Sequence, residues 1–328
     1  MPTSFARRLR NAQKRALRRL FEIAQRCRFD VLPRHFYSEI PDIRLLKSTT
    51  GWRGARSFIA VRGDIDRQVA WVDECTRNYR DRLRQFDIHK AAVAANGSHE
   101  GYGEVEADFL YCFIRAHRPS QILQIGCGVS TAVCLRAAAE EGYRPRIICI
   151  EPYPTEFLKR ESEANRIELL PKKLEDVGPD CVARLGSGDL FFVDSSHTLA
   201  PAGEVNLIIL EMLPRLTLGV HAHFHDIYFP YDYSPDTLSS ALFFPHETAL
   251  LHAFLTMNSC FEIEASLSML HRRRLPDLVR MLPGMAPMPF AEGLSTGAGQ
   301  YPSSIFLRRT EAEGAVPLLP GTLAPQLG

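Results

Sequence analysis

Long apolar runs are missing from this chain. No stretch reaches the roughly 18 residues that a membrane-crossing helix needs, which argues against an integral membrane protein. Excess charge is missing too: 39 Lys and Arg stand against 38 Asp and Glu, a net charge of +1. No overall attraction to nucleic acid or to an anionic surface is therefore expected. The chain has eight cysteines but no CxxC pair, which excludes a zinc ribbon or a disulfide framework. Several of these cysteines lie in apolar segments, as expected of reduced core thiols in a cytoplasmic protein. The N-terminal segment is strongly basic and has no continuous apolar centre, so it does not read as a secretory signal. There is also no GxxxxGK[ST] loop, so nothing marks an ATPase.

The most informative segment is QILQIGCG, residues 121–128, followed by the helical pattern VSTAVCLRAAAEE and a second apolar run, IICIEP, whose acid is Glu151. An apolar strand running into glycines, then a helix, then a strand closed by a carboxylate is a way to grip a nucleotide-type cofactor. Gly126 and Gly128 allow a sharp turn and close approach of a ligand to the backbone. Ser130 and Thr131 are placed to cap the helix, and Glu151 stands where a carboxylate can accept both hydroxyls of a ribose. Position 131 is Thr and no third glycine follows, which argues against a dinucleotide and its pyrophosphate. An adenosine-containing cofactor without pyrophosphate fits better.

Periodicity divides the rest. Phe5, Leu9, Ala12, Ala16, Leu20, Ile23 and Cys27 recur at three- and four-residue spacing, predicting one helical face over residues 5–28. Nine basic residues surround that face, opposed only by Glu22. They read either as a solvated face or as a weak docking element for an acidic partner or a membrane surface. Residues 31–104 predict an irregular accessory or lid segment with one helix over 65–86, and Asn96, Tyr102 and Glu104 close to the next helix. The segment from 105 to 309 then alternates as an α/β sheet does. Strands are predicted near 121–125, 146–150, 166–170, 189–194 and 219–225, and a closing hairpin at 260–266 and 303–309. Helices are predicted near 105–117, 130–142, 154–163, 202–214 and 246–258. Residues 276–302 read as a long loop and 310–328 as a disordered tail.

Four blocks in order, ILQIGCGVSTAV, IICIEPYP, GDLFFVDSSHT and GVHAHFHDIYFPYDY, resemble the class I S-adenosylmethionine-dependent methyltransferases. Within them, the blocks are similar to a bacterial group whose fifth strand ends in a His-Asp pair. The resemblance runs from about Gln121 to Arg309. It implies a Rossmann-like sheet, mostly parallel with an antiparallel final strand, preceded by the N-terminal helical and irregular accessory segment. It implies that Gly126 and Gly128 face the methionine part of S-adenosylmethionine and that Glu151 binds the ribose. Glu175 or Asp176 would lie beside the adenine, with Ser130 and Asp194 completing the cofactor set. Gln124 stands where the family usually has an acid, and so lacks the charge that helps to hold the cofactor's ammonium group.

The second constellation is DSSH (194–197) with HAHFHD (221–226). Asp194 and Asp226 should project at the carboxyl edge of the sheet, where ligands bind, and alternation puts His221, His223 and His225 on one strand face. Three readings are open. His197 or His225 acts as a general base; or Asp194, His225 and Asp226 bind a divalent metal that orients an acceptor hydroxyl; or the histidines are hydrogen-bonded core. His221, early in the strand, reads as structural, and so does Glu247, at a helix start where an acid suits the dipole. The expected activity is methyl transfer, with O-methylation of a small molecule or sugar favoured. A metal-dependent oxygenase or hydroxylase on the same sheet, or a non-catalytic adapter, are the alternatives.

Overall fold

A computed structural model describes residues 4–32, 34–36, 38, 40–233, 243–284 and 302–311, with the side chains of 4–11 outside the description. The chain divides into two compact units, residues 1–49 and 50–328. The first contains the helix Ser4–Arg26, on which Leu17, Leu20 and Ile23 are exposed, and the short helix Ile43–Ser48 capped by Asp42. Residues 50–104 belong to the same compact unit as the sheet. No helix among the described residues is long and apolar enough to cross a membrane.

The second unit is built on seven strands: β1 (Gln121–Ile125), β2 (Arg146–Ile150), β3 (Glu168–Leu170), β4 (Leu190–Val193), β5 (His221–Phe224), β6 (Phe261–Ser266) and β7 (Ile305–Arg309). Their order in the sheet is β3-β2-β1-β4-β5-β7-β6. β1 to β5 pair in parallel, and β7 lies antiparallel to both β5 and β6. The central strands are short, near-continuous apolar runs because helices cover both faces of the sheet. On one face Phe192 and Phe306 pack with Phe109 and Phe113 of the helix Glu104–His117 and with Val133 of the helix Val129–Glu140. On the other, Phe191, Val193 and Phe224 pack with Ile209 and with Leu251 of the helix Glu247–Leu255. The order reverses between β1 and β4, so the crevice at their carboxyl ends is the place where this architecture binds ligands.

All seven predicted strands are present, most shortened by one to three residues, and the hairpin of β6 and β7 closes the sheet as expected. Several segments differ from the sequence reading. The helix predicted over 65–86 stops at Thr76, and a short turn of helix, Arg80–Leu83, follows. The chain turns there so that Leu83 is buried and Arg80 pairs with Asp73 at 2.6 Å. A further helix, Ile88–Ala95, was not anticipated. The loop predicted over 276–302 begins instead as the helix Leu275–Met281, with Pro276 in its first turn, where a missing N–H costs little. Leu278 and Met281 are buried on that helix. The rest of that loop from 285 to 301, and the tail from 312 to 328, lie outside the described residues.

Candidate functional site

The glycine turn lies at the end of β1. Gly126 has φ +75°, a region that favours glycine, and its amide donates to the Ile150 carbonyl at 3.2 Å. A Cβ at this position would lie 2.0 Å from the backbone oxygen of Asp194. The ends of β1 and β4 therefore approach as closely as two backbones can. Gly128 faces Asn96, whose Nδ2 would be 2.9 Å from an added Cβ. Asn96 also accepts from the Thr155 hydroxyl at 2.8 Å, so it braces the turn against the chain after β2.

Glu151 reaches back to this turn. One of its oxygens accepts from the Cys127 amide at 3.3 Å and the other from the Tyr153 amide at 2.9 Å. Beside it opens a cavity of about 640 Å³, lined by Asn96, His99, Cys127, Tyr153, Thr155 and Phe157 among others. That size is within the roughly 300–1,000 Å³ of small-ligand sites. Gln124 is fully buried beneath the turn. Its Oε1 accepts from Thr131 Oγ1 at 2.8 Å and its Nε2 donates to Ser130 Oγ at 3.4 Å. Thr131 Oγ1 in turn accepts from the Gly128 amide at 3.2 Å. Gln124, Ser130 and Thr131 thus hold the shape of the turn from below, with Ser130 also buried. Glu175 is exposed in the short helix Leu174–Val177, and its side chain forms no hydrogen bond or ion pair with these groups.

The ends of β4 and β5 carry the second group. Asp194, His197, His225 and Asp226 converge on one point. Asp194 Oδ1 is 3.5 Å from His197 Nε2 and 3.3 Å from His225 Nδ1, and Asp226 Oδ2 is 3.6 and 3.7 Å from the same two nitrogens. Both imidazoles are buried, whereas the aspartate side chains stay 26% and 32% exposed. The other nitrogen of each ring donates to a buried glutamate: His197 Nδ1 to Glu247 Oε2 at 2.7 Å, and His225 Nε2 to Glu106 Oε2 at 3.2 Å. His197 and Asp226 both have left-handed backbone, φ +59° and +55°. Strain of this kind, roughly 1–3 kcal/mol per residue, clusters at functional sites.

Each glutamate is itself fully engaged. Glu247 also accepts from Ser195 Oγ at 2.9 Å, and His246 N donates to the His197 carbonyl at 2.8 Å. Glu106 accepts from the Gly103 amide at 3.0 Å and from the amide and hydroxyl of Ser303, both at 2.9 Å. Asp226 accepts from Tyr228 Oη at 2.9 Å and, 3.0 Å from Ser303 Oγ, shares that hydroxyl's single proton with Glu106. The charges answer one another. Burial opposes the charged form of His197, yet the neighbouring carboxylates of Asp194 and Glu247 push its pKa up to about 10. Burial opposes the His225 cation as well, and Asp226, Glu106 and Asp194 outweigh it, raising that pKa well above the ordinary range. Asp194 and Asp226 are held low against burial, chiefly by His225, with His197 adding to it.

The sequence-predicted residues therefore fall into two adjacent groups: Gly126, Gly128 and Glu151 at the turn, and Asp194, His197, His225 and Asp226 beside it. His223 lies beneath them, stacked on Phe192 at 4.3 Å and kept neutral by burial. Tyr102, which the sequence places just before the next helix, is buried with its hydroxyl 3.1 Å from His223 Nε2 and its ring 4.9 Å from that of His225. His221 pairs with Glu264 at 2.6 Å among Trp71, Phe113 and His117, as its structural reading anticipates. In the loop after Asp226, Phe229 and Tyr231 are core residues and Tyr228 is spent on Asp226; residues 234 and 235 lie outside the described residues.

Two residues outside the sequence-predicted site complete the arrangement. Glu247 does more than answer a helix dipole, because it is buried against His197. Glu106 carried a signal: it shares a helical face with Leu110 and Phe113, where an acid is costly unless it has partners.

A methyltransferase domain family matches residues 123–227. An uncharacterized protein of Archaeoglobus fulgidus is 26% identical over 163 residues, covering 44% of this chain and 69% of that protein. Among solved structures, the chain is similar to an SAH-bound methyltransferase of Podospora anserina, with 13% identity, 86% and 100% of the two chains covered, and a TM-score of 0.39. It is also similar to cofactor-bound Rv0187 from MTB, with 16% identity, 68% and 89% covered, and a TM-score of 0.42. An O-methyltransferase family protein from Burkholderia thailandensis shows 16% identity, 75% and 60% covered, and a TM-score of 0.31. The domain match covers 105 of the chain's 328 residues.

Proposed function

We propose that the chain is a class I S-adenosylmethionine-dependent methyltransferase, a reading supported by the methyltransferase-domain match over residues 123–227, and that it moves the cofactor's methyl group to a hydroxyl oxygen of a small-molecule or sugar acceptor. One observation carries this reading. The Gly126 turn and Asp194 meet backbone to backbone, with no room for a Cβ between them. A donor held by the turn and by Glu151 is thereby set beside the Asp194, His197, His225 and Asp226 cluster. Holding two reactants in attack geometry supplies much of such a rate enhancement.

In the transfer, the sulfonium S–CH₃ bond breaks as the O–CH₃ bond forms, and a neutral thioether leaves. The hydroxyl proton becomes strongly acidic as the methyl group arrives, so even a weakly basic carboxylate can take it and pass it to water. Asp194 and Asp226 are held in the ionised form and remain partly exposed, which suits them to that role. His197 carries its proton at neutral pH in this arrangement, so it serves better to orient the aspartates than as the base.

Calorimetric titration of the full chain with S-adenosylmethionine, followed by a screen of hydroxyl-bearing acceptors, tests the reading. Saturable binding is expected, and Asp194→Ala should abolish turnover while leaving cofactor affinity within about threefold, under 1 kcal/mol. No binding by the wild type would favour the adapter, and full turnover by Asp194→Ala would remove the cluster from catalysis. The exposed Leu17, Leu20 and Ile23 beside Arg15, Arg18 and Arg19 support the docking expectation for residues 5–28. Loss of sedimentation with anionic vesicles on deleting residues 1–28 would support it, and no sedimentation of the wild type would refute it for membranes.

A further inference from the structure

We propose that Asp194, His197 and His225 form a binding centre for one first-row transition-metal dication, with Asp226 flanking it and with Glu247 and Glu106 as the residues that aim the two imidazoles at it. The argument is geometric. The four inner atoms, Asp194 Oδ1, His197 Nε2, His225 Nδ1 and Asp226 Oδ2, are separated by 3.3 to 3.7 Å across the imidazole–carboxylate pairs. Those distances exceed the ordinary N–H···O range of about 2.7–3.2 Å. They are close to the spacing of neighbouring ligands around an ion: donors about 2.1 Å from a metal stand roughly 3.0–3.4 Å apart at octahedral to tetrahedral angles. Donor atoms of Asp194, His197 and His225 all lie within 4.8 Å of one another.

The outer atoms strengthen the case. Metal-binding histidines almost always donate their second ring N–H to a carboxylate or carbonyl, which sets the tautomer and turns the other nitrogen inward. Both histidines do this here, through Glu247 at 2.7 Å and Glu106 at 3.2 Å, and both glutamates are almost fully buried. Four carboxyl groups surround two imidazoles in a largely enclosed position, a surplus of negative charge that a dication would balance. The partly exposed aspartate side chains leave a side through which an ion, water or acceptor can enter.

The donor set also selects the ion. Magnesium prefers carboxylate, carbonyl and water oxygens, whereas imidazole suits zinc, iron and their neighbours. Two imidazole nitrogens and one carboxylate oxygen therefore point to an ion such as zinc, cobalt, manganese or iron. When bound, the ion would polarise an acceptor hydroxyl; this chain's own residues would hold the ion and orient its ligands. That role rests on the methyl-transfer reading, but the binding itself does not.

The test is titration of the chelator-stripped full chain with cobalt(II), followed by its visible absorption and repeated with zinc(II) as competitor and with magnesium(II). One cobalt per chain, displaced by zinc and at least about 100-fold tighter than magnesium, is the expected result for this donor set. His197→Gln combined with His225→Gln should abolish the spectrum. Glu247→Gln, which keeps the shape of the side chain, should weaken binding by about 10–100-fold with the metal ligands intact. Absence of a cobalt spectrum in the wild type, unchanged binding by the double variant, or a preference for magnesium would each overturn the proposal. S-adenosylmethionine calorimetry on the same sample separates the two readings. Metal bound without cofactor sinks methyl transfer and keeps the centre; cofactor bound without metal does the reverse.

Discussion

Replacing Gly126 with Ala tests the contact that joins the two halves of the site. Two costs add. The first is conformational: at φ +75° an L-residue loses roughly 1–2 kcal/mol relative to glycine. The second is steric. The new Cβ would stand 2.0 Å from the Asp194 carbonyl oxygen, and an ordinary contact begins near 3.4 Å, so the ends of β1 and β4 would have to part by the difference. Overpacking of this kind costs about 1–3 kcal/mol, and here the obstacle is backbone in a fully paired sheet and cannot rotate away.

The sum is about 2–5 kcal/mol, which in a chain of this size lowers the melting temperature by several degrees, at about 2–4 °C per kcal/mol. Gly142→Ala is the matched control. Gly142 has φ +71°, but a Cβ there would meet nothing within 4 Å, so only the first cost applies. Thermal unfolding of both variants, with cofactor titration of each, separates strain from contact. Gly126→Ala should melt below Gly142→Ala and lose cofactor affinity, because the parting distorts the Gly126 turn that holds the cofactor. Equal melting temperatures with wild-type binding would refute the close approach and the coupling of donor and acceptor halves built on it.

Two further outcomes follow from particular residues. Glu151→Ala should weaken S-adenosylmethionine binding by about 10–100-fold, the worth of charge-assisted hydrogen bonds of roughly 1.5–3 kcal/mol, with little change in melting temperature. Unchanged affinity in calorimetry would remove Glu151 from the site. Asp108 is buried in the helix Glu104–His117, and burial, with Glu104 nearby, pushes its pKa up to about 7. An acid raised on folding contributes stability below its unfolded pKa near 4, and loses it as pH rises towards 7. Wild-type stability should therefore fall across that window by up to about 4 kcal/mol on account of this residue, and Asp108→Asn should flatten the fall. Parallel denaturation curves for the two proteins between pH 4 and pH 8 would contradict the assignment.

Much of the fold was legible in the chain because its signals are local. A parallel sheet covered on both faces writes each central strand as a short apolar run, and QILQI, RIICI and LFFV are such runs, bounded by glycines, acids and helical patterns. Misreadings came where composition and contact disagree. Pro276 suggested a loop, yet proline is acceptable in the first turn of a helix whose Leu278 and Met281 are buried. Residues 65–86 carried one continuous helical pattern, but Arg80 turns back to Asp73 and Leu83 enters the core.

The site divides along the same line. Gly126, Glu151, Asp194 and the His-Asp end of β5 are visible in sequence because each ends a recognisable strand. That Gln124 serves the turn from below depends on Thr131 and Ser130, which a helix brings over it. That His197 and His225 face inward depends on Glu247 and Glu106, which are 50 and 119 residues away along the chain. By itself the sequence determined strand order signals, the glycine turn and the residue types at the sheet edge, because backbone propensity and hydrophobic period act over a few residues. Only the tertiary structure decided which carboxylate holds which imidazole, because a hydrogen bond between distant elements is set by how the helices pack on the sheet.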